Sequence, residues 1–226
     1  MGSLAERATT PEWMDGETVD PATFAAVMHD LARVNTVTRA RPPTLAWLAK
    51  AAAGVERFSV LDVGFGDGDM LRAIAERFGA RAVLTGIDIN PRSEPAAIAS
   101  TPPDMAIEYL TGNAFALDRR PDFIISSLTA HHMADDELVT FLRWMEATAV
   151  RGWFVNDLHR DWIAWRGFQA LSWVARWHDF VRHDGAVSVT RSFRRDDWQR
   201  LLAAAGIDRA EVRWHLPFRL CVGRLR

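Results

Sequence analysis

One stretch constrains this chain more than any other. Phe58-Ser-Val-Leu-Asp-Val63 is an apolar run of strand length, and it flows into Gly64-Phe65-Gly66-Asp67-Gly68. Met70, Leu71, Ile74, Ala75 and Phe78 then recur at helical steps. A strand, a glycine-rich turn and a helix open a βα unit. Glycines in such a turn accept φ > 0 and let the backbone approach a ligand closely. The spacing decides which ligand. A dinucleotide fingerprint, G-x-G-x-x-G, would need its third glycine at position 69, where Asp69 stands. Asp62, two residues before the first glycine, would also face a pyrophosphate with like charge. It suits a cationic ligand instead.

The rest of the chain repeats the alternation. Ala82–Ile89, Ala106–Thr111, Phe123–Ser126 and Gly152–Val155 read as further strands, with a helix marked by Leu138, Phe141, Leu142 and Met145 between the last two. Strands alternating with helices predict a parallel sheet covered on both faces. Before it, Pro21 opens a helical pattern through Phe24, Val27, Met28, Leu31 and Val34. Arg41-Pro42-Pro43 is expected to interrupt that pattern, and a second helix ends at Gly54. The polar start, Met1–Asp20, is expected to be mobile. After the fifth strand, Asp161–His178 is a helix apolar on several sides, Asp179–Phe193 looks irregular, and a last helix capped by Asp196 stops at Gly206. Two closing strands flank Pro217.

From Phe58 onward the sequence resembles the class I S-adenosylmethionine (SAM)-dependent methyltransferases. The resemblance rests on Asp62-Val-Gly-Phe-Gly-Asp-Gly68, on Asp88 at the end of the second strand, on Gly112-Asn113-Ala114 after the third, and on Asp122-Phe-Ile-Ile-Ser-Ser-Leu128. It implies an α/β, Rossmann-like seven-stranded sheet of order 3-2-1-4-5-7-6. It also implies an N-terminal helical lid within residues 1–54, a methyltransferase domain over 55–226, and a substrate-side insertion at 161–193. The implied cofactor site is Asp62, Gly64, Phe65, Gly66, Gly68, Asp88, Ile89, Asn113, Ala114 and Ser127, with SAM as donor and S-adenosylhomocysteine (SAH) as product. A carboxylate at Asp88 can accept from two adjacent ribose hydroxyls. Asn113 stands where the family often has Asp, so it can still accept from an adenine amino group but without charge. Ser127–Met133 and Phe193–Gly206 are similar to small-molecule methyltransferases acting on quinone precursors and related compounds.

Methyl transfer to a phenol or an enol carbon needs a proton removed, and a general base contributes a factor on the order of 10²–10⁴. The candidate bases are histidines after strand ends: His132 and His159 first, then His131. Adjacent histidines are expected to point apart, so no metal site is expected. Asn156, Trp162, Trp165, Phe168 and His183 are the candidate substrate contacts, and Arg39 and Arg41 read as solvated charges.

Composition supports this division. Of ten tryptophans, none lies between residues 48 and 143 and eight lie beyond it. Residues 1–150 carry 13 basic and 21 acidic groups, a net −8, whereas residues 151–226 carry 14 and 8, a net +6. The basic residues are dispersed arginines, so an anionic small substrate or solvated helix faces explain them better than nucleic acid. An RNA methyltransferase and a non-catalytic SAM-binding module remain the alternatives. The lone Cys221 excludes an intrachain disulfide, and no run is apolar enough to span a membrane. The expectation is a cytoplasmic enzyme of secondary metabolism, monomeric or homodimeric, methylating a small aromatic or polyketide/quinone-like acceptor.

Overall fold

The computed structural model describes residues 4–15, 27, 30–31 and 33–226. Phe24 and Met28 of the expected first helix lie outside them. Residues 33–37 are helical and lead to α1 (Arg41–Ala51). The expected break between the two helices falls at residues 38–40, and Arg41-Pro42-Pro43 forms the first turn of the second, where the missing N–H groups cost nothing. The sheet strands are β1 (Phe58–Val63), β2 (Ala82–Asp88), β3 (Ile107–Thr111), β4 (Phe123–Ser127), β5 (Gly152–Leu158), β6 (Glu211–His215) and β7 (Arg219–Leu225). Their order is β3-β2-β1-β4-β5-β7-β6, with β7 antiparallel to both neighbours and the other pairs parallel.

Alternating side chains divide the core between the two faces of the sheet. Leu61, Val63, Ile124, Trp153 and Val155 face α4 (Asp135–Thr148) and α7 (Arg195–Ala205), through Phe141, Leu142, Trp198 and Leu201. Phe58, Val60, Phe123, Ile125 and Phe154 face α1 and α2 (Asp69–Phe78), through Leu48, Leu71 and Ile74. Helix α3 (Ser93–Ser100) lies between β2 and β3. A third, smaller cluster joins Val27 and Val34 to Trp177 and Val181, so the N-terminal helical residues pack on the segment that follows β5.

That segment departs from expectation. It holds α5 (Trp162–Val174), capped by Asp161, and α6 (Asp179–Arg191), where an irregular stretch was expected. The inner face of α6 is part polar, with Asp184, Ser188 and Arg191 buried beside Val181 and Val189, which hides the helical stripe from an apolar count. In α7 the capping group is Asp197 rather than Asp196: its carboxylate accepts from the N–H of Arg194 at 2.7 Å. Gly206, at φ 75°, ends that helix as expected. Residues 4–15 are held rather than loose. The Arg7 guanidinium donates to the carbonyls of Met133 (3.0 Å) and Arg191 (2.9 Å) and pairs with Asp135, and Ala8 N–H donates to Thr190.

Candidate active site

The glycine turn closes over the carboxyl end of β1. Gly64, Gly66 and Gly68 have φ of 77°, 59° and 78°. A side chain at Gly64 would collide with Thr129, and one at Gly68 with Tyr109. The turn is tied to the end of β2, where Asp88 accepts from the N–H of Gly66 at 3.0 Å and from that of Asn90 at 2.9 Å.

Two cavities meet along this turn. The outer one is lined by Asp88, Ile89, Asn113, Ala114 and Phe115 at the ends of β2 and β3. The inner one runs past Asp62, Phe65, Ser127 and Arg219 to Phe168 of α5 and Val189 of α6. Gly64, Gly66, Leu128, His132, Leu31 and Glu12 line both. Gly68 lines neither and serves as the N-cap of α2. The Asn113 side-chain oxygen accepts from Phe115 N–H at 3.0 Å, which leaves it one lone pair for a ligand.

Among the described residues, two polar groups beside the glycine turn in the inner cavity each have an atom without a partner. Asp62 is 1% exposed and its Oδ1 accepts no hydrogen bond, and Ser127 Oγ is likewise buried and unpaired. Burial pushes the Asp62 carboxyl well above the ordinary carboxylate range, with the charges of Asp69 and Asp88 adding to it. Buried groups of this kind ordinarily have partners. A cationic ligand with N–H donors would supply what both lack.

Opposite the turn, β4 ends in a short 3-10 turn, Ala130–His132, which carries the two adjacent histidines. They do not point apart. Their rings lie 4.4 Å from each other, and both face Glu12 of the N-terminal segment, at 3.5 Å for His131 and 3.7 Å for His132. Behind His131, Asp157 accepts from its Nδ1 at 2.7 Å and from its backbone N–H at 3.0 Å. Burial alone would lower the His131 pKa, but the carboxylates of Asp157 and Glu12 outweigh it and raise the value to about 9. His131 is therefore an imidazolium near neutrality, enclosed between two carboxylates. His132, by contrast, has a side chain 33% exposed and borders both cavities. Glu12, His131 and His132 each offer a ligand atom within 4.8 Å of the others, a spacing that a divalent cation would also fit.

His159 lines neither cavity. It lies beside Phe193, and burial together with neighbouring arginine charges lowers its pKa. Asn156 was placed on the rim, but β5 continues to Leu158, pairing with β7, and carries Asn156 and Asp157 into the interior. The Asn156 amide is occupied by Ala40 O and Thr44 Oγ1. Among the aromatic candidates only Phe168 reaches the inner cavity. Trp162 is 62% exposed and, with His183, borders an outer groove. Trp165 lies under the Arg166 guanidinium, and His183 stacks on Trp13 at 3.8 Å. Arg39 is exposed as expected, whereas Arg41 pairs with Asp69 at 3.2 Å.

The basic excess of the last third is partly internal. Arg160 is buried, donates to Leu4 O and Ser192 O, and pairs with Asp197. Arg191 is buried and donates to the carbonyls of His131 and His132. Arg219 is 2% exposed. These three are not available to a phosphate backbone.

Glu12, Asp157 and Arg219 are the site groups that sequence reasoning left out. Glu12 lies in the segment expected to be mobile, and Asp157 lies just past the expected end of the fifth strand, with no local pattern to mark it. Arg219 had a signal: it is a lone charge in an otherwise apolar strand, Phe218-Arg-Leu-Cys-Val222.

Residues 60–152 match a family described as a methyltransferase domain. No curated protein matches the chain in sequence. Many solved structures share its fold, among them three at low identity. A plantazolicin methyltransferase in complex with a triazolic desmethyl-plantazolicin analogue and SAH superposes with a TM-score of 0.61 at 16% identity, over 79% of this chain and 66% of its own. The magnesium protoporphyrin IX methyltransferase from Synechocystis with bound SAH gives 0.59 at 17% identity, over 94% and 91%. Human N-acetylserotonin methyltransferase in complex with SAM gives 0.63 at 15% identity, over 92% of this chain and 56% of its own. Among the described residues no helix is long and apolar enough to cross a membrane. The chain thus has the class I methyltransferase fold, built around a methyltransferase domain at residues 60–152.

Proposed function

We propose that this protein is a SAM-dependent methyltransferase acting on an oxygen or carbon of a small aromatic or polyketide/quinone-like acceptor. The observation that carries the reading is the glycine turn, with buried, unpartnered Asp62 on one side and Asp88 on the other. Asp88, Asn113 and Ile89 in the outer cavity would take the adenosine. Asp62 and Ser127 would take the amino group of the methionine portion, which their unpaired atoms fit. SAM supplies an electrophilic methyl group on a sulfonium, and the chain's own residues do the rest.

The seam between the cavities, at Gly64, Leu128 and His132, would hold the reacting atoms, because a donor with its adenosine in the outer cavity and its methionine portion in the inner one carries its sulfonium across it. His132 would accept the acceptor's proton as the carbon–oxygen or carbon–carbon bond forms and the carbon–sulfur bond breaks. His131 is the poorer base because it is already protonated near neutrality. It is better placed to fix the turn that presents His132. Apolar walls from Leu31, Val34, Phe168 and Val189 would exclude water. In this reading residues 1–54 act as a lid, 161–193 as the substrate-side insertion, and the enzyme works in the cytoplasm.

Calorimetry with SAH on folded protein tests the reading. Binding is expected, and absence of heat with both SAM and SAH overturns it. Turnover against a panel of phenols and enolisable ketones then separates an enzyme from a SAM-binding module. Binding without product across the panel favours the module.

A further inference from the structure

Among the described residues, one more buried atom without a partner belongs to a residue lining the inner cavity: Nη1 of Arg219. Methyl transfer as derived above does not use it. Arg219 opens β7, and its Nη2 donates to Thr38 Oγ1 at 3.1 Å. The two carboxylates closest in charge are committed elsewhere. Asp157 holds His131, and Asp69 is taken by Arg41 (3.2 Å) and Asn35 (3.3 Å). A guanidinium withdrawn from water with no anion of its own carries a large desolvation cost. Its planar fork matches a carboxylate better than any other common anion.

The sheet order indicates which ligand is meant. β7 lies three strand spacings from β1, across β4 and β5, which is roughly 14 Å at about 4.8 Å per spacing. The donor's proposed contacts lie at the ends of β1, β2 and β3, with Ser127 at the end of β4, two spacings from β7. Arg219 lines the same cavity as Leu158, Phe168 and Val189, which come from β5, α5 and α6, and as Asp62 and Ser127.

We infer that Arg219 is an acceptor-recognition residue, so that the methyl acceptor is an apolar, ring-sized body bearing a carboxylate. The inference rests on the proposed function, with the acceptor in the part of the inner cavity that the methionine portion at Asp62 and Ser127 leaves free. The carboxylate would sit on Nη1, with the body against Phe168 and Val189 and the nucleophilic atom turned toward the seam at His132.

The test compares 2,4-dihydroxybenzoate with 2,4-dihydroxybenzamide, which match in size and differ in charge. Both are titrated into protein saturated with SAH. Wild type is expected to bind the acid about tenfold more tightly or better, the scale of a hydrogen bond to a charged group. Equal binding of acid and amide overturns the inference without needing any variant. Arg219→Met is expected to erase the preference, and Arg219→Lys to keep part of it. SAH affinity is expected to change less than about twofold in Arg219→Met, since one hydrogen bond to a charge is worth more than that. If SAH binding weakens about tenfold while 5′-methylthioadenosine binding does not, Arg219 holds the donor's carboxylate and the acceptor assignment falls. If wild type fails to bind SAH at all, the methyltransferase reading fails first, and the two failures are told apart.

Discussion

On the proposed function, the donor side and the acceptor side of this cleft are built in opposite ways. The donor side is local: Asp62, the three glycines, Asp88 and Asn113 sit at the ends of three neighbouring strands, within about fifty residues of one another. The acceptor side is assembled from distant pieces. Glu12, Leu31, His131, Phe168, Val189 and Arg219 come from six separate parts of the chain. The first kind of site can be read from spacing, because the turn's backbone makes it. The second depends on which helices happen to cover the sheet. Both leave buried polar atoms unpaired, and each kind of atom indicates its ligand: carboxylate and hydroxyl on the donor side, guanidinium on the acceptor side.

The contrast is broken most severely at the seam. His132→Ala should lower kcat by a factor on the order of 10²–10⁴ while leaving SAH affinity intact, as single-turnover kinetics and calorimetry would show. An unchanged kcat would remove His132 from the chemistry and return the base to the acceptor side.

A second test concerns what holds the seam. His131 has a folded pKa of about 9, above its ordinary value of 6.5. Its stabilisation is therefore fully present below about pH 6.5 and is lost as pH rises through about 9, a change on the order of 3 kcal/mol. Urea unfolding at pH 6.5 and 9.5 should show this fall in wild type. Asp157→Asn, which removes the principal partner, should be less stable at pH 6.5 and show a much smaller fall.

On the donor side alone, Asp88→Ala should weaken SAH binding about 100-fold, since two hydrogen bonds to a charged group are lost. Its melting temperature should also fall, since Asp88 no longer accepts from the N–H groups of Gly66 and Asn90. A parallel loss of acceptor binding in the absence of SAH would mean that the two sides are less separate than drawn.

The smallest effects should map the acceptor side's boundary. Phe168→Ala should raise the acceptor KM about tenfold, from lost apolar contact. Trp162→Ala and Trp173→Ala should leave kcat and KM within about twofold, because both side chains face outward, at 62% and 70% exposure. A large KM effect from either tryptophan would move the acceptor to the outer groove.

What was legible follows the same division. The turn's positive φ and the placing of Asp88 at a strand end were implied by residues whose own backbone creates the feature, whereas the strand order came from the family resemblance. Position 131 was chosen, but its role was not, because the partners that fix its charge come from residues 12 and 157. The tryptophan excess was read as a substrate lining, yet periodicity does not say which side of α5 is covered. Once α5 is placed, Phe168 faces the cavity while Trp162 and Trp173 face outward. Helix α6 was missed because Asp184, Ser188 and Arg191 replace apolar residues on its inner face. Each is satisfied by a long-range partner: the backbone of Trp13 and Met14, the Glu12 carboxylate, and the carbonyls of residues 131 and 132.

By itself, then, the sequence determined the sheet, the glycine turn and the carboxylates around it, since strand patterning and glycine conformational freedom act over a few residues. Only the tertiary structure decided that Glu12 and Asp157 enclose one histidine and leave its neighbour at the seam. It likewise decided that Arg219 lines the inner cavity with its Nη1 unpaired among the described residues. Charge and solvation are set by what packs nearby in space, and for a buried group those neighbours come from anywhere along the chain.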